Sequence, residues 1–166
     1  MRNKIVYLDD QVLYPDAVMK LVDPKKERFL FIRFQHPDAC LKYVFNSIES
    51  NSKIDLIITD FIHPGMNGYD FSLSVRSIES SYSYFKPIPI ILLSFTNPSY
   101  ELSEKDIQEL MIKNPDNDRE YYERYRENRR AFKQAVDNNF FSAVLGKHVE
   151  GTEILKAIEK ALESNE

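Results

Sequence analysis

The sequence predicts an α/β fold, a doubly wound parallel sheet, and three observations carry that expectation. Short apolar runs at residues 5–8, 54–59 and 88–93 are rich in β-branched residues and lack polar alternation, the pattern of strands buried on both faces. Helical apolar spacing lies between and after these runs, so strands and helices alternate. The chain has 166 residues, within the roughly 100–200 of a single domain. One domain over 1–166 is therefore expected.

Taken in order, residues 5–8 form the first strand and residues 29–34 a second, less sharply marked one. Residues 38–46 follow as a helix carrying Leu41, Val44 and Phe45, then the strand at 54–59. Residues 69–78 place Leu73, Val75 and Ile78 at helical spacing before the strand at 88–93. A fifth strand is expected at 142–145. The last helix, 152–162, has Thr152 as its expected N-cap and one face of Ile154, Leu155, Ile158, Ala161 and Leu162.

One stretch exceeds the alternation. Ser94 and Lys147 are 53 positions apart, whereas a helical crossover needs roughly 20. The excess, an insertion at about 97–138, reads as two helices. The first starts at Ser103, whose spacing to Asp106 resembles a capping box, with Ile107, Leu110 and Met111 following. Asn114-Pro115-Asp116-Asn117 is a turn. The second runs from about 118 to 136, with Tyr121, Tyr125, Phe132 and Val136 as a narrow apolar stripe. Its 118–133 portion holds four acids and six bases, best read as a solvated face with i,i+4 pairs.

Composition excludes several function classes. Lys and Arg number 22 against 26 Asp and Glu, a net charge of −4, without the basic footprint of a general nucleic-acid binder. The single cysteine, Cys40, forms no internal disulfide and suits a reducing compartment; helix packing is its expected role. The first apolar run is too short for an export signal, and no run approaches the ~20 residues of a membrane helix. A cytoplasmic protein without membrane insertion is expected. His36, His63 and His148 are far apart and are expected at surface or turn positions.

In parallel sheets, functional groups gather at the C-terminal strand ends. Those ends supply Asp9 and Asp10, then Asp60, Ser94 and Lys147. Three clustered carboxylates repel one another unless a cation sits among them, and hard oxygen donors favour Mg²⁺. Lys147 would then face an anion. Taken singly, each residue has a structural reading. Asp9-Asp10 can cap a helix, Asp60 with Pro64 and Gly68 can make a turn, Ser94 can cap a strand end, and Lys147 can be solvated. Their joint occurrence favours a site.

These residues resemble the receiver domain of two-component response regulators. The stretch 4–11, KIVYLDDQ, is similar to the family's first strand and acidic pair. The stretch 55–68, DLIITDFIHPGMNG, resembles the phosphoacceptor strand and its turn. PIILLS at 89–94 resembles the fourth strand with its terminal hydroxyl, and Lys147 the fifth-strand lysine. The resemblance implies a five-stranded sheet of flavodoxin-like order 2-1-3-4-5, with the extra helices between strands four and five. It implies Asp60 as phosphoacceptor from a phosphohistidine. Mg²⁺ would sit on Asp9, Asp10, Asp60 and the Ile62 carbonyl, with Lys147 and Ser94 serving the phosphoryl group. The implied partners are a histidine kinase or histidine phosphotransfer protein and a downstream protein. Four positions depart from the pattern. His148 stands where proline usually follows the lysine, and Val144 replaces the usual switch aromatic. Phe95 stands where a small residue is typical, and His63 replaces an apolar residue.

The resulting expectation is a stand-alone, phosphorylation-controlled module, not an enzyme beyond its own phosphoryl transfer and dephosphorylation. Two alternatives remain. One is a degenerate receiver acting as a phosphorylation-independent scaffold. The other is an aspartate-nucleophile phosphatase of the haloacid dehalogenase type, which needs Asp-x-Asp where this chain has Gln11 and Val12 after Asp10.

Overall fold

The structure is a computed structural model describing residues 2–82, 86–94, 127, 130–131, 133–134 and 136–165. Five parallel strands form the main sheet: β1 (Asn3–Leu8), β2 (Phe29–Phe34), β3 (Leu56–Thr59), β6 (Ile90–Ser94) and β7 (Ala143–Gly146). Their spatial order is β2-β1-β3-β6-β7, the expected 2-1-3-4-5 once β6 and β7 are counted as the fourth and fifth. Between β3 and β6, β4 (Ile62–His63) and β5 (Met66–Asn67) make a small antiparallel ribbon. Among the described residues, the helices that flank the sheet are α1 (Leu13–Val22), α2 (Pro37–Glu49), α3 (Gly68–Ser80) and α4 (Gly151–Glu163).

The unbroken apolar runs have a direct cause. Alternate strand residues enter two different cores, and both must be apolar. Ile5, Tyr7, Leu56, Ile58, Ile91 and Leu93 pack against Val18 and Val22 of α1 and Ile154, Ile158 and Ala161 of α4. On the opposite face, Val6, Leu8, Ile57 and Ile90 meet Cys40, Val44 and Ile48 of α2 and Phe71 and Val75 of α3. Cys40 is fully buried in that layer, as helix packing requires.

Helix α1 has no counterpart among the helices expected from sequence. Its N-cap, Val12, offers no side-chain bond to the first turn, and Pro15 lies inside it. Proline is tolerated there because first-turn amides have no helical acceptor. The last helix begins one residue earlier than expected. Glu150, with extended backbone, is the N-cap, and Thr152 lies inside the first turn. His63 also departs from expectation. It is buried in the ribbon, whereas His36 and His148 are exposed.

A polar clamp fixes the sheet beside α3. Glu79 is buried and accepts the Ile88 amide at 2.6 Å. Arg76 binds Glu79 at 2.7 Å and donates to the carbonyls of Ile88 at 2.9 Å and Phe140 at 3.1 Å. The approaches to β6 and β7 are thereby tied to one helix. Phe95, Tyr121, Tyr125, Phe132 and most of the expected 97–138 insertion lie outside the described residues. Within 127–137, the described residues are helical as far as Asp137, and Val136 is exposed.

Candidate functional site

Parallel register brings the strand ends level. Leu8 pairs with Thr59, Thr59 with Leu92, and Ser94 with Gly146. Backbone bonds extend that alignment past the strands. The Asp60 amide donates to the Leu8 carbonyl at 3.0 Å, and the Lys147 amide to the Ser94 carbonyl at 2.9 Å. Asp9, Asp10, Asp60, Ser94 and Lys147 thus emerge along one edge of the sheet.

The centre of this edge is the Lys147 ammonium. It lies 2.7 Å from Asp9 Oδ2 and 2.7 Å from Asp60 Oδ2, with the Lys147 and Asp9 side chains fully buried. It donates a hydrogen bond to Asp60. The second Asp60 oxygen, Oδ1, accepts the Phe61 amide at 2.6 Å. Asp9 Oδ1 accepts the Gln11 amide at 3.0 Å. Burial pushes the Asp9 carboxyl above its usual range; Lys147 and the Gln11 amide pull the other way. Asp10 is exposed at the rim. One carboxylate oxygen each from Asp9, Asp10 and Asp60 lies within 4.8 Å of the others. Ser94 is buried at the end of β6.

The turn after Asp60 is built to hold that residue in place. Gly65 closes the ribbon with φ +80°, a conformation that favours glycine. At Gly68, a Cβ would come within 2.9 Å of the Asp60 carbonyl oxygen, and the Gly68 amide donates to the Phe61 carbonyl at 2.6 Å. The Thr59 hydroxyl donates to the Asp60 carbonyl at 2.9 Å and also meets His63 Nε2 at 2.9 Å. One hydroxyl proton cannot serve both contacts. With it on Asp60, Nε2 carries its own proton and Thr59 accepts it. Burial, the largest influence, lowers the His63 pKa, against the pull of Asp60. The departure of residue 63 from an apolar side chain thus becomes a strut beneath the Asp60 backbone.

Two tyrosines escaped the sequence reading. Tyr14, in the first turn of α1, lays its ring 4.7 Å from the Lys147 ammonium and donates its hydroxyl to the Lys147 carbonyl at 2.7 Å. Tyr7 is buried in β1, and its hydroxyl has no partner among the described residues; burial raises its pKa. Nothing in the linear sequence ties Tyr14 to a residue 133 positions away. Its signal exists only once α1 is seen packed on the sheet face with its first turn beside Lys147. Ile62 opens β4, two residues beyond Asp60, with its side chain half exposed.

No protein-family model matches the chain. Over 92 residues, 54% of its length, the chain is 30% identical to the two-component response regulator ARR8 of Arabidopsis thaliana. The chain spans 39% of that relative's length. Among solved structures, the signal receiver domain of the putative response regulator NarL from Mycobacterium tuberculosis superposes with a TM-score of 0.61. That match covers 98% of this chain and 97% of the other at 18% identity. The chemotaxis protein CheY4 of Vibrio cholerae gives 0.58 at 19% identity, covering 98% and 100%.

Proposed function

From the premise that this chain has the receiver-domain fold and sequence similarity to two-component response regulators, we propose that it works as a phosphorylation-controlled receiver module. Asp60 is the acceptor. The observation that carries this reading is the Lys147 ammonium held between Asp9 and Asp60 at the C-terminal sheet edge, with Asp10 beside them. Carboxylates, a buried ammonium and a strand-end hydroxyl are the groups phosphoryl transfer needs, because its catalysis is mostly positioning and charge stabilisation.

The donor set fits Mg²⁺. It is three carboxylates without a sulfur ligand, one of them open to solvent. Asp9, Asp10 and Asp60 would hold the ion, with the Ile62 carbonyl as a further oxygen. When bound, the ion supplies positive charge against the oxygens of the transferring group. The other tasks fall to the chain. Asp60 Oδ1 keeps its bond from the Phe61 amide and becomes the carbonyl oxygen of the acyl phosphate. Oδ2 attacks phosphorus as the P–N bond of a phosphohistidine breaks, and the imidazole leaves with that electron pair. Lys147 transfers its hydrogen bond from Oδ2 to a phosphoryl oxygen. Ser94 binds another, and the shift of charge and hydrogen bonds at the end of β6 alters the surface a downstream protein reads.

A histidine kinase or histidine phosphotransfer protein is the proposed donor and the cytoplasm the proposed location. Incubation with Mg²⁺ and a small acyl phosphate, read by intact mass, tests the reading. One labile phosphate per chain is expected, and none on Asp60→Asn. Full labelling of Asp60→Asn would move the acceptor elsewhere.

A further inference from the structure

Lys147 is anchored at three points. Its amide donates to Ser94 of β6, its ammonium sits between Asp9 and Asp60, and its carbonyl accepts the Tyr14 hydroxyl. Among these partners, Tyr14 touches the lysine at both ends, with its ring at the ammonium and its hydroxyl at the carbonyl. That double contact fixes the direction in which a long, otherwise rotatable side chain leaves the backbone. We propose that Tyr14 is a positioning residue for Lys147, holding the ammonium at the point where a phosphoryl oxygen must be met; this rests on the receiver reading above.

Two physical features support the role. An ammonium on an aromatic face is attracted by the ring quadrupole, most strongly where water is excluded, and the Lys147 side chain is fully buried. The ring lies 4.7 Å from the ammonium, within the roughly 6 Å at which that attraction acts. The Tyr14 hydroxyl remains a donor throughout the working pH range. Burial, followed by the nearby Asp9 and Asp60 charges, pushes its pKa up to about 12. Tyr14 belongs to α1 and Lys147 follows β7, so the contact also joins the two ends of the site through α1.

The test uses Tyr14→Leu and Tyr14→Phe in the full chain. Tyr14→Leu should load phosphate from a small acyl phosphate about tenfold more slowly at saturating Mg²⁺. Tyr14→Phe, which keeps the ring, should lose less. On a Lys147→Ala background, Tyr14→Leu should cost nothing further, because a positioning residue has nothing left to position. An equal loss on both backgrounds would reduce Tyr14 to general packing and overturn the proposal. A second readout does not depend on phosphoryl chemistry. Trace acetylation of lysines, read by peptide mass, should rise about tenfold at Lys147 in Tyr14→Leu. At Lys4, which bonds Ser52 at the opposite end of the sheet, it should stay unchanged. A matching rise at Lys4 would indicate general loosening, and no rise at Lys147 would show that Tyr14 does not hold it; either overturns the proposal. If the wild type takes no phosphate at all, the receiver reading fails, and the acetylation ratio still decides whether Tyr14 positions the lysine.

Discussion

Replacing Lys147 by Met isolates the electrostatics of the site, because methionine keeps most of the apolar stem and removes the charge. The Asp9 and Asp60 carboxylates then lose the ammonium 2.7 Å from each, and the Asp9 side chain is fully buried. Removing one partner from a buried ion pair costs about 3–5 kcal/mol when the remaining charge cannot relax. Asp9 can relax by taking up a proton, so about 3 kcal/mol is expected near pH 7.5. For a chain of this size, that corresponds to roughly 6–12 °C in melting temperature. The sign with pH follows from linkage. Burial already raises the Asp9 pKa in the folded protein, and Lys147 is the leading influence holding it down. Without Lys147 the folded pKa rises further above the unfolded value, so the folded state binds more protons than the unfolded one in that window. Stability of the variant then falls as pH rises through the window, and the penalty fades toward the ordinary carboxyl pKa. Thermal melts of wild type and Lys147→Met at pH 4.5 and 7.5 measure this. The gap should shrink by half or more at the lower pH. A gap of equal size at both values would mean that the lysine stem, not its charge, supports the fold, and the electrostatic account would be wrong.

Added Mg²⁺ should raise the melting temperature of the wild type by mass action, and Asp10→Ala should remove most of that gain; equal gains in both proteins would place the ion elsewhere. Gly68→Ala pushes a methyl against the Asp60 carbonyl and the Phe61 Cα, so it should cost about 1–3 kcal/mol in urea melts and slow phosphate loading together. Glu79→Ala strands the buried Ile88 amide and removes the carboxylate that pairs with Arg76. It should cost about 1–3 kcal/mol, and a change below about 0.5 kcal/mol would show that the clamp is not structural.

The sheet was legible because its physics is local. Residues such as Ile57 and Ile58 face different cores, so both must be apolar, and the run announces a doubly covered strand. The receiver-type residues were legible because each ends a strand, and strand ends of a parallel sheet share one edge. Elements whose cause is not local were missed. Helix α1 lacks a side-chain cap and carries Pro15, so its start reads as loop; tertiary packing of Val18 and Val22 holds it. His63 reads as a turn residue beside Pro64, yet Thr59 supplies the partner that lets it be buried. Tyr14 differs in range: its partner Lys147 lies 133 positions away, so its meaning lies in a contact that no local pattern announces. Thr152 matched the N-cap preference by type, but the N-cap is Glu150, two residues sooner, and the backbone turns helical at Gly151. There the added Cβ of any other residue would meet Leu21 of α1 at 2.8 Å.

The most direct test of the central claim is to identify the phosphorylated atom's residue chemically. The chain is loaded with a small acyl phosphate and Mg²⁺, reduced with borohydride and digested. Reduction converts an aspartyl phosphate to homoserine and leaves free carboxylates untouched. The account requires homoserine at position 60 alone, and none in Asp60→Asn. Homoserine at position 9 or 10, or phosphate that survives borohydride on a hydroxyl or imidazole, would contradict it.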